Sequence, residues 1–171
     1  MLKNKLWVLI SGGAAALVLA FYGYTTSKPT NHVHYHAGFM IYIDDELQDY
    51  SNYKYMNFVP CSEHEAKKSP EEEQIELAHL HDSVGDVVHV HRSGAKWGDL
   101  LTNAGIVLPA GKAIKGFVDG VAQVDILSAP IDAYTTAVLL VGESTSERAN
   151  ERVSLEHIKE VEAKSELCAS N

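Results

Sequence analysis

The sequence of residues 79–91 is HLHDSVGDVVHVH, two His-x-His pairs on either side of a stretch that suits a tight turn. Neighbouring side chains on a β-strand point to opposite faces, so the two histidines of each pair share a face. Residues 82–86 predict a hairpin with a type I turn and with Gly85 in the left-handed conformation. The resulting register places His79 opposite His89 and collects all four histidines on one face. A register slipped by one residue would mix histidines with aliphatic side chains.

A third group of histidines, HVHYH at residues 32–36, begins an alternating strand that extends to Ile43. Its odd-numbered positions are apolar, and its even-numbered positions carry the histidines and, further along, Met40. Residues 44 and 45, both aspartate, predict a tight turn into a return strand around residues 46–50. We expect the histidine face of this strand to lie against that of the hairpin, or to line the same cleft.

Histidines on shared faces are candidate metal ligands, because neutral imidazole is a common ligand for zinc, copper, iron and nickel. One His-x-His pair alone is more simply a solvated polar face of a strand. Three groups, two of them gathered by one hairpin register, favour a metal site, with copper or zinc as the expected ion. The predicted ligands are His34, His36, His79, His81, His89 and His91. His32 and Met40 are further candidates.

The chain has 171 residues and a formal net charge of −9. This length predicts one folded domain. The negative charge and the lack of a basic stripe interleaved with aromatic residues argue against a nucleic-acid binder. An acidic surface instead attracts cations, so we expect metal ions as partners and no nucleic acid.

The N-terminal residues form a predicted targeting segment. Lys3 and Lys5 precede an uncharged run over residues 6–24, which is long enough to span a bilayer with its positive flank inside. An uncleaved signal-anchor is the favoured interpretation, and a secretory signal peptide cleaved near Ala20 is the alternative. Both place the folded part outside the cytoplasm, either held at the cell membrane or secreted. The predicted division is a targeting segment at 1–28, a His-rich metal-binding domain at 29–145 and a C-terminal helix at 146–171.

The two cysteines, Cys61 and Cys168, fit an oxidising compartment, where pairing is favoured. A disulfide bond between them would tie the C-terminal helix to the body of the domain and stabilise the fold. Two free thiols, or a soft metal ligand at Cys61, are the alternatives. Residues 61–74 predict a mobile polar loop, although His64 and the nearby glutamates could instead form a lid that gathers metal.

The second half of the chain predicts an α+β fold. Residues 96–105 predict a short helix that stops at Gly105, and residues 114–124 predict a hairpin that turns at Asp119-Gly120. The apolar run at residues 137–141 suits a central strand. We therefore expect a small mixed or antiparallel sheet of hairpins with one short packed helix, in addition to the N-terminal and C-terminal helices.

A helix is predicted over residues 154–167, with Ser154 as its N-cap. One stripe at helical spacing is expected to face the body of the domain. The members of this stripe are Leu155, Ile158, Val161, Ser165 and Cys168. His157 lies off the stripe and is predicted to be a surface histidine.

Two resemblances rest on these motifs. The stretches WGDLL at residues 97–101, GFVDG at 116–120 and VLLVG at 138–142 resemble the second half of β-grasp domains, including small sulfur-carrier proteins. This chain lacks the terminal Gly-Gly tail of those carriers, so their activity is not implied. The chain also resembles a group of uncharacterised, membrane-anchored or secreted His-rich bacterial proteins, which implies an architecture and no mechanism. The stretches that carry this second resemblance are HYHAGF at residues 34–39, HLHD at 79–82, GDVVHVH at 85–91, WGDLL at 97–101 and EHIKEVE at 156–162.

Three function classes remain open on the sequence. The first is a binding module that captures, buffers or delivers copper or zinc outside the cytoplasm. The second is a metalloenzyme whose histidines leave an open metal position for water, oxygen or a substrate. The third is an envelope protein whose histidines only sense pH. No Ser/His/Asp order, phosphate-binding loop or HExxH motif occurs, so no catalytic residue is assigned and binding is favoured. The expected partners are metal ions and the membrane, and homo-oligomerisation stays open.

Overall fold

The structure, a computed structural model, describes residues 32–57 and 69–165. These residues belong to one compact unit. The predicted membrane segment, both cysteines with their predicted disulfide bond, and His64 all lie outside the described residues. Within the two described ranges, no helix is long and apolar enough to cross a membrane.

The described residues form a mixed sheet of six strands and three α-helices, in agreement with the predicted α+β class. The strands are β1 (His32–Ile43), β2 (Glu46–Leu47), β3 (Val87–Arg92), β4 (Ile114–Val118), β5 (Val121–Gln123) and β6 (Thr136–Val141). The helices are α1 (Pro70–Ile75), α2 (Trp97–Asn103) and α3 (Leu155–Ser165). Short 3-10 turns lie at Tyr53–Tyr55, Ile126–Ser128 and Ser146–Asn150.

The longest strand, β1, connects the two parts of the sheet. The strand order is β2-β1-β6-β4-β5, and β3 pairs with β1 outside this path. The first half of β1 pairs antiparallel with β3, and its second half pairs parallel with β6. The predicted turn at Asp44 and Asp45 leads into β2, which is only two residues long. The central strand β6 is buried at all six positions, which explains its near-continuous apolar sequence.

The odd-numbered residues of β1 face the main hydrophobic core, as the alternation predicts. Phe39 and Ile41 are almost fully buried there, in one cluster with Trp97 and Leu100 of α2. The chain leaves α2 through Gly105, whose φ of +63° suits the left-handed position that follows many helices. The predicted helix and its glycine stop are therefore confirmed.

The C-terminal helix α3 covers part of the opposite face of the sheet. Its residues Ile158 and Val161 are buried in a cluster with Val87 of β3 and with Val153. Gly38 of β1 permits this close approach, because a Cβ there would lie 2.5 Å from the Val153 Cβ. The chain thus covers one face of its sheet with α2 and part of the other with α3.

The start of α3 agrees with the predicted cap. The backbone N–H of His157 donates a hydrogen bond to the Ser154 Oγ at 3.1 Å. Leu155 is 50 % exposed, so the predicted buried stripe is wrong at this position, because the buried side of the helix begins one turn later at Ile158. The side chain of His157 is half-exposed, as predicted, and its Nε2 lies 3.1 Å from a carboxylate oxygen of Asp86.

Part of the predicted polar loop is helical. The Ser69 Oγ accepts a hydrogen bond from the backbone N–H of Glu72, and the Glu72 carboxylate accepts one from the backbone N–H of Ser69. This capping box, with Pro70 in the first turn, begins α1. The loop prediction is therefore wrong from residue 70 onward, and the Ser-Pro-Glu-Glu stretch is the signal that predicts the helix.

Candidate metal centre

The segment around His79 forms the predicted antiparallel pair with β3. His79 and His89 exchange both backbone hydrogen bonds, with N···O distances of 3.0 and 2.9 Å. Leu80 and Val88 are fully buried in the main core on the other face. The predicted register is confirmed, and it places the hairpin histidines together on one face.

The turn of this hairpin differs from the prediction. The backbone N–H of Val84 donates to the His81 carbonyl at 3.1 Å. Asp82 and Ser83 between them have positive φ angles of 55° and 58°. This is the φ pattern of a type I′ turn at residues 81–84, so the predicted type I turn is wrong. Gly85 is needed for a different reason, because a Cβ there would lie 2.3 Å from a backbone nitrogen of a neighbouring segment.

The third histidine group joins the hairpin because β1 pairs with β3. In this pairing His36 lies opposite His89, and their Nε2 atoms are 2.5 Å apart. The ring of His34 stacks on that of His91, with the ring centroids 4.9 Å apart. The three groups therefore lie side by side on one face of one sheet and form a single cluster, rather than two separate ones.

Five histidines of this cluster form two sets of three, each able to hold a metal ion. The inner group is His79, His81 and His89, and the outer group is His34, His89 and His91. Within each group the three candidate ligand atoms lie within 4.8 Å of one another. Imidazole nitrogens bind zinc at about 2.0–2.1 Å, so two ligands of one ion lie at most about 4.2 Å apart. Small side-chain adjustments would bring either group onto one ion.

The inner group is more buried than the outer group. His89 is 2 % exposed and His79 is 6 % exposed, and the His81 side chain is also largely covered. In the outer group His34 is exposed and His91 is half-buried. The cluster therefore extends from the protein interior to solvent, with His89 common to both groups.

Two ring nitrogens of the cluster lie at hydrogen-bond distance from oxygen acceptors. The Nδ1 atom of His79 lies 3.1 Å from the Ile75 carbonyl oxygen, and that of His81 lies 2.6 Å from a carboxylate oxygen of Asp82. The Nδ1 atom of His36 lies 3.6 Å from a carboxylate oxygen of Glu162, which is an ion-pair distance beyond the reach of a hydrogen bond. A carbonyl or carboxylate oxygen can only accept, so Nδ1 of His79 and His81 carries the hydrogen and Nε2 keeps its lone pair.

Metal-binding histidines usually donate their second ring N–H to a carboxylate or a backbone carbonyl, which sets the tautomer and orients the ring. His79 and His81 have this arrangement. The Nε2 atom of His81 is also buried without a hydrogen-bond partner among the described residues. A buried acceptor in this position is costly unless something binds it, and a metal ion would do so.

The buried imidazoles are neutral at physiological pH. Burial lowers the pKa of His79 to about 4, against a smaller opposite effect of its hydrogen bond to Ile75. Burial, followed by the neighbouring His34, lowers the pKa of His36 to about 4. Burial and the neighbouring His36 also hold the pKa of His89 far below its usual range. Neutral imidazole is the form that binds metal.

The remaining predicted candidates are placed differently. His36 contacts His89 but belongs to neither group of three. Met40 packs in the apolar clusters that also contain Val138 and Val153. It is four residues beyond His36 on an extended strand, a distance of about 13 Å. His32 begins β1, but its side chain is not described. His64 lies outside the described residues.

Sequence reasoning missed the acceptors around the cluster. The Ile75 carbonyl belongs to α1, a helix that the sequence interpretation treated as loop, and Glu162 comes from α3, far along the chain. Asp82 lies in the predicted turn, and a carboxylate next to a candidate ligand histidine is a local signal that could have identified its role.

No family model, characterised protein or solved structure matches this chain. The geometry therefore defines the class of site: a histidine cluster, mostly buried, that could hold a metal ion.

Proposed function

We propose that this protein binds a transition-metal ion, copper or zinc, and captures, buffers or delivers it. The observation that carries the proposal is the inner group, in which three candidate ligand atoms lie within 4.8 Å of one another. Burial supports it further, because His79 and His89 are held neutral in a site shielded from water. The acceptors at Ile75 and Asp82 orient two of the three rings.

The donor set favours copper or zinc. Both groups consist of imidazoles, without a carboxylate or thiolate among the described residues that form them. Imidazole suits copper and zinc, whereas calcium and magnesium prefer oxygen ligands. The usual order of affinities makes copper(II) the tightest divalent occupant of such a site.

Removal of two inner ligands tests the proposal. Full-length protein, purified without an affinity tag and stripped with a chelator, is titrated with copper(II) or zinc(II), and bound metal is measured by elemental analysis. The wild-type protein should bind metal stoichiometrically, and the His79→Ala/His89→Ala variant should lose this binding. The matched control is His157→Ala, because His157 lies outside the cluster and should leave the Kd within a factor of about 3.

A folded variant that binds as tightly as the wild type would contradict the proposal. Far-UV circular dichroism checks the fold of each variant. If the His79→Ala/His89→Ala variant does not fold, the His79→Gln/His89→Gln variant is used instead, because glutamine keeps most of the side-chain volume. The same loss of metal binding is expected.

A metalloenzyme is the second candidate, because the inner group supplies only three protein ligands. Three protein ligands leave a fourth tetrahedral position for water or a substrate, as in many catalytic zinc sites. Glu162, which is partly exposed beside His36, is a carboxylate near the cluster that could move protons. Turnover of an ester, carbon dioxide or superoxide by the metal-loaded protein, lost in the same double variant, would support this candidate over simple binding.

We also propose that the folded part lies outside the cytoplasm, attached through residues 6–24. The support is the sequence: an uncharged run of this length after two lysines suits a membrane helix with its N-terminus inside. Protease added to intact spheroplasts should then digest the folded part, while the chain fractionates with membranes before digestion. Full protection of the folded part in intact spheroplasts would contradict this location.

A β-grasp-like core is a further part of the proposal. The sequence resemblance in the second half of the chain is supported by the order β2-β1-β6-β4-β5, with β6 parallel to β1 and one helix, α2, packed on the core. In this interpretation α1 and β3 belong to an insertion between the first hairpin and the helix, and the insertion supplies most of the histidines. The resemblance to the His-rich bacterial group remains a proposal about relationship and implies no activity.

A further inference from the structure

The two groups of histidines overlap in only one residue. His89 belongs to both, whereas His79 and His81 occur only in the inner group and His34 and His91 only in the outer one. No set of three within 4.8 Å combines the two sides among the described residues. The two groups therefore define two neighbouring positions that share His89.

The position of His89 explains why it is shared. It lies in β3, the middle strand of three, between β1 on one side and the segment of His79 on the other. Its ring centroid is 3.5 Å from that of His81 and 5.7 Å from that of His34. In the inner group, His79 and His81 both come from the segment on one side of β3. In the outer group, His34 comes from β1 on the other side, and His91 comes from β3 itself.

We propose that the outer group holds a second transition-metal ion and that His89 is the shared ligand of the two ions. This inference rests on the proposed function and adds a second position to it. When both positions are filled, His89 offers one ring nitrogen to each ion, which requires its ring N–H proton to leave to solvent. The ring then acts as an imidazolate bridge, with Nδ1 bound to one ion and Nε2 to the other.

The two positions differ in exposure, and this predicts different behaviour. His34 is exposed, so an ion in the outer position exchanges with solvent and with external chelators. His79 and His89 are buried, so an ion in the inner position exchanges slowly. A chelator should therefore remove the ion in the outer position first.

Metal stoichiometry tests the second position. Full-length protein is titrated with copper(II), and bound copper per chain is measured after removal of free metal. The wild type should bind two ions per chain, and His34→Ala/His91→Ala should bind one, held as tightly as the slowly exchanging ion of the wild type. His157→Ala is the control and should still bind two.

The outcomes separate the two proposals. One tight ion per chain in both the wild type and His34→Ala/His91→Ala would overturn the second position and leave the proposed function intact. No copper bound by the folded wild type would overturn the proposed function itself.

Electron paramagnetic resonance of the wild type tests the shared ligand without any substitution. One equivalent of copper(II) should give a signal that accounts for all of the added copper. The second equivalent should lower the signal per copper, because an imidazolate bridge couples the two unpaired spins antiparallel. A signal that doubles, as for two independent ions, would overturn the role of His89 as a bridge.

Discussion

His89 is the residue on which both histidine groups depend, and its surroundings explain how it can stay buried. It is opposite His36 in one strand pair and opposite His79 in the other, so its polar ring lies among other imidazoles rather than among aliphatic side chains. Burial of a polar ring is costly unless it finds polar partners. At the edge of the same cluster, Asp82 accepts a hydrogen bond from His81 and so orients a candidate ligand.

Replacement of Asp82 tests this orienting role. Asp82→Asn tolerates the left-handed backbone of the turn but removes the negative charge beside His81. We expect the affinity for copper or zinc to fall by about tenfold, since loss of such a carboxylate partner typically costs roughly 10–100-fold. Isothermal titration calorimetry on the full-length protein measures the change.

The control for this prediction is Asp86→Asn. Asp86 is close in sequence and contacts His157, which lies outside the cluster, so its variant should keep the wild-type affinity. Equal losses in the two variants would indicate a general effect of surface charge, and the orienting role of Asp82 would be wrong.

The elements are held in place by their apolar sides. Leu80 and Val88 anchor the hairpin in the main core, and this burial decides which face the histidines occupy. On the other face α3 is anchored by Ile158 and Val161. The same helix carries Glu162 to His36, so the packing of α3 also positions a charged group beside the cluster.

Two alanine substitutions in α3 test whether burial, and not helical spacing alone, decides how much a residue of the predicted stripe stabilises the fold. Ile158→Ala should lower the free energy of unfolding of the metal-free protein by about 2–4 kcal/mol, because Ile158 is fully buried and its truncation leaves a cavity. Leu155→Ala is the matched control on the same predicted stripe. Leu155 is half-exposed, so its variant should change the stability by less than about 1 kcal/mol.

Urea denaturation followed by circular dichroism measures both stabilities. Similar losses in the two variants would mean that Leu155 is as important to the docking of α3 as Ile158, contrary to the structure.

In the whole molecule, long-range pairing around β1 brings distant histidines together. The strand meets β3 through its first half and β6 through its second half, so one element joins the cluster to the centre of the sheet. The cost is that several histidines are buried in neutral form, because burial disfavours their protonated form even though Glu162 lies near His36. The stability of the metal-free protein must therefore depend on pH.

The metal-free protein should lose stability in mild acid. The folded-state pKa values of His36 and His79 are about 4, whereas an unfolded histidine has a pKa of about 6.5. Between these values the unfolded state binds more protons, so the free energy of unfolding is highest above pH 6.5 and falls as the pH drops toward 4. Urea denaturation of the metal-free protein at a series of pH values measures this slope.

His79→Gln provides the comparison for the pH dependence. It removes one of the buried titrating groups, so the slope between pH 6.5 and pH 4 should become smaller than in the wild type. A wild-type stability that stays constant or rises as the pH falls through this window would show that these histidines are not buried in neutral form.

Local patterns predicted much of the fold and of the cluster. The alternation over residues 79–91 determined the pairing of His79 with His89, because only one register buries the aliphatic side chains together. The short helix before Gly105, the hairpin turning at Asp119-Gly120 and the buried strand β6 were predicted for the same kind of reason. Each depends on interactions between residues close in sequence.

The details that were missed depend on contacts between distant segments or on turn geometry. The type I′ turn has positive φ angles at Asp82 and Ser83, where no glycine marks them. The exposure of Leu155 depends on where α3 meets the sheet. Helical spacing defines a stripe, but it does not say which turn of the helix makes the contact.

The sequence by itself determined which residues are candidate ligands and that each pair shares a face, because the two-residue period of a strand is a local property. Only the tertiary structure decided how the candidates divide. The pairing of β1 with β3 brought His34 to His91 and His36 to His89, and the division into an inner and an outer group follows from it. Strand partners far apart in sequence are chosen by burial in the folded core, and a local pattern does not record that choice.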